Sequence, residues 1–190
     1  MATRVIGLAG RPGCGKSAVA RALAKKPGVE AIDLDRVAWE TYAPETPTHD
    51  RLVERFGRGT LSDDGRIDRE RLGDLALSDA AARRDLDAIV HPAVNERLSE
   101  LVSDARGRGV GVLLVEGALL ASSPHVDRSI FDRILWLKAS EGTRRVRLRS
   151  EGREDQADRL DGVGPGTATV VDAEGTLSEV AERVWQSLAR

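Results

Sequence analysis

The chain reads as a three-layer α/β fold built on a parallel sheet, and three observations predict it. Short apolar runs of strand length recur at Val5–Leu8, Val29–Asp33, Val110–Val115, Ile134–Leu137 and Thr169–Val171. Segments of helical composition separate them, and strands joined through helices pair in parallel under helical cover. The first run opens directly into a glycine-rich loop, Gly10–Ser17. Sheets of this class bind ligands beyond the carboxyl ends of their strands, which is where that loop, Asp33, Asp35 and Glu116 all fall.

Each element has a local reason. Val5–Leu8 is an apolar run ending in glycine, the pattern of a buried strand. Ser17–Lys26 has helical composition and meets Pro27-Gly28, a helix-ending pair. Val29–Asp33 is a second strand. The stretch from Arg36 to Arg106 is rich in Arg, Asp, Glu, Leu and Ala, with helical periodicity interrupted by Pro44, Pro47, Gly57, Gly59 and Gly65. It reads as a helical insertion. Ser78 is expected to cap a helix beginning near Asp79, and Pro92 to break or kink it, because proline lacks an N–H and crowds the preceding turn. After the strands at Val110–Val115 and Ile134–Leu137, Ser140–Ser150 is an arginine-rich helix and Glu151–Gly166 a polar, mobile loop. The last helix opens with Thr176-Leu177-Ser178-Glu179, a capping box.

The sequence has 190 residues, one domain's worth, with 41% hydrophobic and 32% charged residues, enough for a core and a solvated surface. A formal charge of −2 argues against a nucleic-acid or membrane-surface binder, so an anionic ligand must be met by local positive groups. A single cysteine excludes an internal disulfide and suits a reducing compartment. Met1–Arg4 runs straight into the first strand, and no apolar run approaches the roughly 20 residues of a bilayer span. A soluble, cytoplasmic monomer that handles small molecules, without nucleic acid or membrane, is expected.

Gly10-Arg11-Pro12-Gly13-Cys14-Gly15-Lys16-Ser17 satisfies G-x-x-x-x-G-K-[ST] between a strand and a helix, the arrangement of a P-loop (Walker A). Glycines let the backbone wrap phosphate with its N–H groups turned inward, and the following helix adds its positive end. Lys16 reaches the β- and γ-phosphates, and the Ser17 hydroxyl is placed to ligate Mg²⁺. The expected nucleotide-contacting residues are Gly10, Arg11, Pro12, Gly13, Cys14, Gly15, Lys16, Ser17 and Ala18. Gly13–Ala18 also fits the looser dinucleotide fingerprint G-x-G-x-x-[G/A], with Asp33 twenty residues on to meet a ribose. That fingerprint has no need of Lys16-Ser17, which the P-loop requires. Cys14 is either a thiol activated by the helix N-terminus or a small filler at a variable position.

Phosphoryl transfer also needs a group for the acceptor hydroxyl and positive charge around the moving phosphoryl. Asp33 and Asp35 follow the second strand. One can accept the hydroxyl proton and the other orient Mg²⁺, unless they are solvated loop carboxylates or a helix cap. No N/T-K-x-D stretch marks a guanine-reading GTPase.

The residues carry a resemblance to the dephospho-CoA kinase family. It lies in Gly7–Ser17, in Ile32-Asp33-Leu34-Asp35-Arg36-Val37-Ala38, in Val53–Gly57, in Asp64-Gly65-Arg66-Ile67-Asp68-Arg69, and in Leu86–Pro92 with its Ile89-Val90-His91-Pro92. It is good over about residues 4–100 and weaker beyond. It implies a P-loop NTPase fold with a helical substrate-binding insertion and a short lid, all in one domain, 1–190. The nucleotide-binding core would take about 1–35 and 108–190, the acceptor-binding insertion about 36–107 and the lid about 141–166. It also implies ATP- and Mg²⁺-dependent phosphorylation of the ribose 3′-hydroxyl of dephospho-CoA. By position Asp35 is then the catalytic base beside Asp33, which with Ser17 would hold the metal. His91 helps hold the acceptor or is a structural histidine before a proline. Arg145 and Arg149 match the family's R-x-x-x-R lid and, four apart, share a helix face; the whole cluster Arg144, Arg145, Arg147 and Arg149 is otherwise a solvated helix.

Several positions depart from the family pattern. Trp39 stands for a histidine, Ala118-Leu119-Leu120-Ala121-Ser122 for P-L-L-F-E, and Val170–Gly175 carries alanine for asparagine at Ala173. The alternatives are a related P-loop kinase acting on another nucleoside-like or small hydroxyl acceptor, and a nucleotide-binding regulatory relative without transferase activity.

Overall fold

The computed structural model describes residues 2–118, 120–121, 123–158 and 162–188, with the backbone alone at position 77. The five strands are β1 (Arg4–Ala9), β2 (Val29–Asp33), β3 (Val112–Glu116), β4 (Arg133–Lys138) and β5 (Thr169–Asp172). They form one sheet in the order β2-β3-β1-β4-β5, every neighbouring pair parallel. The predicted α/β class with a parallel sheet is therefore the observed one.

The chain divides into two compact units, Met1–Asp33 with Val102–Arg190, and Leu34–Leu101. The first holds the sheet. Its central strands are buried almost end to end, as expected of parallel strands covered on both faces. Alternate positions divide the work: Ile6, Leu8, Leu114, Leu135 and Leu137 join one core cluster with Val19, Ala20 and Leu23 of α1 (Lys16–Leu23) and Val180, Val184 and Leu188 of α7 (Leu177–Leu188). Each fully buried Leu of this kind contributes about 1.5–3 kcal/mol. The capping box forms as read: Glu179 Oε2 accepts from Thr176 N at 2.8 Å, and Glu179 N donates to Thr176 Oγ1 at 3.4 Å.

The second unit is helical. It comprises α2 (Leu34–Thr41), α3 (Pro47–Phe56), α4 (Arg69–Ser78) and most of α5 (Ala80–Gly107), around Leu52, Ile67, Leu72 and Ile89. The Asp64–Arg69 segment has a clear local job here. Asp64 Oδ1 accepts from Ser62 Oγ and Arg66 N, closing a tight turn. Ile67 is buried, and Asp68 caps α4 by accepting from Glu70 N and Arg71 N.

Some boundaries differ from expectation. The helix α1 ends at Leu23, not Lys26, because the chain turns there to reach β2, with Lys26 N donating to Leu23 O. Ser78 is the last residue of α4, its hydroxyl turned back to Leu75 O, and the cap of α5 is Asp79, whose carboxylate accepts from Ala81 N and Ala82 N. Pro92 does not break α5, which runs 28 residues through it. Interior proline costs about 3 kcal/mol; Ile89, Val94, Leu98, Val102 and Ala105, buried before and after it, offset that cost. Of the Ala118–Ser122 segment, Leu119 and Ser122 lie outside the described residues, as do positions 159–161 of the expected lid.

Candidate active site

The loop between β1 and α1 lies at the carboxyl end of the sheet, at a topological switch point: β1 sits between β3 and β4, and the chain leaves it to reach the edge strand β2. Glu116 ends β3 and is in register with Leu8 of β1 on one side and Asp33 of β2 on the other. Two carboxylates thus end neighbouring strands beside the glycine loop. Among the described residues, no group of three or more His, Cys, Asp or Glu side chains gathers as a metal site.

Lys16 is the first residue of α1, and its Nζ donates to Gly10 O at 2.9 Å, folding the side chain back across the loop. Ser17 follows it, partly buried. Gly13 has φ 77°, and a Cβ there would lie 2.6 Å from Arg144 O and 3.0 Å from Arg144 Cα. The loop therefore packs directly on the backbone of α6 (Glu141–Ser150), and only glycine permits that approach. Cys14 is buried, its Sγ filling the space beside Gly10, and burial pushes its thiol pKa up despite Lys16 and Arg147 nearby. It is the small filler, not an activated thiol.

The four arginines of α6 fall into two pairs. Arg144 is only 4% exposed and donates to Pro12 O at 3.2 Å and Ala157 O at 3.0 Å. Arg147 donates to Cys14 O at 3.3 Å, and to Ala173 O and Gly175 O at 3.0 Å each. These two fasten the phosphate loop to α6 and to the β5–α7 turn. Arg145 and Arg149, the pair favoured by spacing, point to carboxylates instead. Arg145 meets Glu141 at 2.8 Å and Asp158 at 2.5 Å, and Arg149 meets Glu154 at 2.5 Å. Arg11 of the loop donates from Nε to Val163 O at 3.1 Å.

Beside this bracing lies a groove of about 370 Å³ lined by Gly142, Thr143, Val146, Arg147, Glu174 and Gly175. Its floor is tied by Glu174, which accepts from Ser140 N at 2.5 Å and Thr143 Oγ1 at 2.6 Å, contacts that lower its pKa. One exposed apolar side chain, Val146, lines it beside the Arg147 guanidinium. Sequence reasoning did not find this groove. The one trace was the glycine of Val170–Gly175.

Gly15 is the N-cap of α1 and Ala18 lies in its first turn, whereas Asp35 and His91 belong to the helical unit. Asp35 is in the first turn of α2. His91, on α5, has its Nε2 3.3 Å from Asp87 Oδ1, one turn earlier on the same helix.

A family model described as dephospho-CoA kinase matches residues 4–160. A dephospho-CoA kinase of Geobacter sulfurreducens is 33% identical over 193 residues, covering 98% of both chains. One of Thermobifida fusca is 34% identical over 199 residues, covering 97% of this chain and 96% of its own. Among solved structures, a Thermus thermophilus protein matches with a TM-score of 0.79 at 28% identity, over 100% of this chain and 97% of its own. A dephospho-CoA kinase from Campylobacter jejuni shares the fold, with a TM-score of 0.65 at 15% identity over 98% and 96% of the two chains. With a parallel sheet opening into a braced phosphate loop, and with relatives aligned nearly end to end, this chain belongs to the dephospho-CoA kinase family.

Proposed function

We propose that the protein transfers the γ-phosphoryl group of ATP to the ribose 3′-hydroxyl of dephospho-CoA, releasing coenzyme A and ADP. The observation that carries this reading is the phosphate loop at the end of β1, pinned by Arg144 and Arg147 and flanked by a groove of about 370 Å³, in a chain of this family. A rigid cradle of N–H groups holds the triphosphate without reorganising as charge moves, the main contribution a protein makes to phosphoryl transfer.

In the transfer, the bond between the γ-phosphorus and the β–γ bridging oxygen breaks, and a new bond forms from the acceptor 3′-oxygen. The hydroxyl proton goes to a carboxylate, which we assign to Asp35. Lys16 leaves Gly10 O to balance charge on the β- and γ-phosphates. Arg145 and Arg149 are assigned to cover the phosphates, which requires them to exchange Glu141, Asp158 and Glu154 for phosphate oxygens. His91 is assigned to the acceptor.

The donors near the loop suit Mg²⁺. The Ser17 hydroxyl and Asp33, with Glu116 in register beside it, offer only oxygen, and one or two carboxylates with substrate phosphates is the usual way this ion is held. When bound there it would neutralise charge on the triphosphate. Asp33 and Ser17 are its assigned ligands. We read the protein as a cytoplasmic monomer acting on small molecules without nucleic acid; no helix of the described residues is long and apolar enough to cross a membrane.

The test is direct. Purified protein with ATP, Mg²⁺ and dephospho-CoA should form coenzyme A, detected by mass spectrometry, with one ADP per turnover. Turnover of another hydroxyl acceptor but not of dephospho-CoA would overturn the assignment of substrate.

A further inference from the structure

Two peptide units of the phosphate loop are held from behind. Arg144 Nη1 donates to Pro12 O at 3.2 Å, and Arg147 Nη1 donates to Cys14 O at 3.3 Å. None of the described peptide bonds is cis. In a trans peptide the N–H points away from the carbonyl of the same unit. The two guanidinium contacts therefore aim Gly13 N–H and Gly15 N–H away from the helix α6 that carries the arginines. Those two amides have no other task in the fold. Cys14 N donates to Arg11 O at 3.2 Å, whereas among the described residues neither Gly13 N nor Gly15 N has a protein acceptor.

The sequence makes these two units free to turn over. Rotating a peptide unit changes φ of the residue that follows it, and here that residue is glycine, at φ 77° for Gly13 and 94° for Gly15. A residue without Cβ accepts either sign of φ. Backbone able to wrap a phosphate is thus also backbone able to point its donors the wrong way. The arginines remove that freedom, and each is itself fixed. Arg144 is buried and also holds Ala157 O. Arg147 holds Ala173 O and Gly175 O through Nη2. The turn bearing those carbonyls is gripped from α7 by Arg183, which donates to Asp172 O and Glu174 O. A cation on the carbonyl also polarises the peptide and makes its N–H the stronger donor.

We infer that Arg144 and Arg147 are positioning residues for the bound anion, Arg144 through Gly13 N–H and Arg147 through Gly15 N–H, with neither guanidinium touching the phosphate. The inference rests on the triphosphate binding proposed above and not on the identity of the acceptor.

The experiment titrates ATP and inorganic triphosphate into protein made with isotope-labelled glycine. It follows the Gly13 and Gly15 amide resonances and measures both affinities by calorimetry, at temperatures below each variant's melting transition. In the wild type both resonances should shift on binding. Arg147→Met should remove most of the Gly15 shift, keep that of Gly13, and weaken inorganic triphosphate about tenfold, the scale of one charge-assisted hydrogen bond. Arg147→Lys restores a donor without the planar fork and should recover part of both losses. Arg144→Met should show the reverse pattern, losing the Gly13 shift and keeping that of Gly15. Arg147 also lines the groove beside the loop, so triphosphate, which carries no base, is the deciding ligand. If Arg147→Met weakens triphosphate while the Gly15 shift persists, the arginine meets the phosphate directly and the inference is wrong. Equal loss of both shifts, or an unchanged affinity, overturns it as well. A wild-type protein that binds neither ATP nor triphosphate would instead remove the function proposed above, a failure seen before any variant is compared.

Discussion

Gly13→Ala tests whether α6 truly braces the phosphate loop. Two costs follow from the geometry. The residue has φ 77°, so an L side chain there is strained by about 1–2 kcal/mol. The new methyl would also stand 2.6 Å from Arg144 O and 3.0 Å from Arg144 C and Cα, all backbone atoms that no side-chain rotation can move. Forcing a well-packed contact apart adds about 1–3 kcal/mol. Gly15→Ala is the control: φ is 94°, but the nearest atom, Arg147 Nη1, is 3.6 Å from its Cβ position, an ordinary contact. It should carry the strain alone. A domain of this size loses about 2–4 °C of Tm per kcal/mol, so Gly13→Ala should melt about 6–12 °C low at a combined 3 kcal/mol, and Gly15→Ala about 2–8 °C low. Calorimetry with and without ATP reads both, and ATP should restore less stability to Gly13→Ala because its cradle is displaced. Equal melting temperatures for the two variants would refute the bracing of the loop by α6.

Other outcomes are expected of individual residues. Lys16→Ala should lower kcat about 10²–10³-fold by removing charge stabilisation at the phosphates, read by steady-state ADP release. Asp35→Asn should keep ATP affinity in calorimetric titration while transfer falls about 10²–10⁴-fold, and near-normal turnover would displace it as base. Arg144→Met should destabilise by about 2–4 kcal/mol in urea unfolding, because it leaves Pro12 O and the buried Ala157 O without their donor, a loss larger than the relief of removing a buried charge. Tyr42 is the single tyrosine, so absorbance at 295 nm reports it alone; burial pushes it up to about 12. Folding then favours the neutral phenol, and that contribution to stability is complete below pH 10 and lost as pH rises towards about 12. A titration midpoint near the ordinary value would contradict the burial.

Some of this protein was legible because the relevant physics is local. The spacing Gly10–Gly13–Gly15–Lys16–Ser17 encodes a backbone path, and that path needs no distant partner to be recognised. Thr176 and Glu179 are three residues apart and close on each other whatever surrounds them. Strand lengths were readable to within two residues because both faces of a parallel sheet are apolar. By contrast, Ser78 and Asp79 are both good caps, and the choice between them depends on where α4 stops. The continuity of α5 through Pro92 likewise rests on burial along its length, which outweighs a local preference to end.

The arginines of α6 draw the line most clearly. Helical period alone says that Arg145 and Arg149 share a face and that Arg144 and Arg147 share another. It cannot say which face meets the loop, because Val146 and Leu148 give the helix an apolar residue on either side. In the folded chain Leu148 is buried and Val146 is 66% exposed, so the inward pair is Arg144 and Arg147. Sequence by itself determined the phosphate loop, the sheet and the family, since each is written in neighbouring residues. Only the tertiary structure decided which charges hold the loop, where a groove opens beside it and which arginine lies on Trp39, since those contacts join residues from about 30 to more than 130 positions apart in the chain.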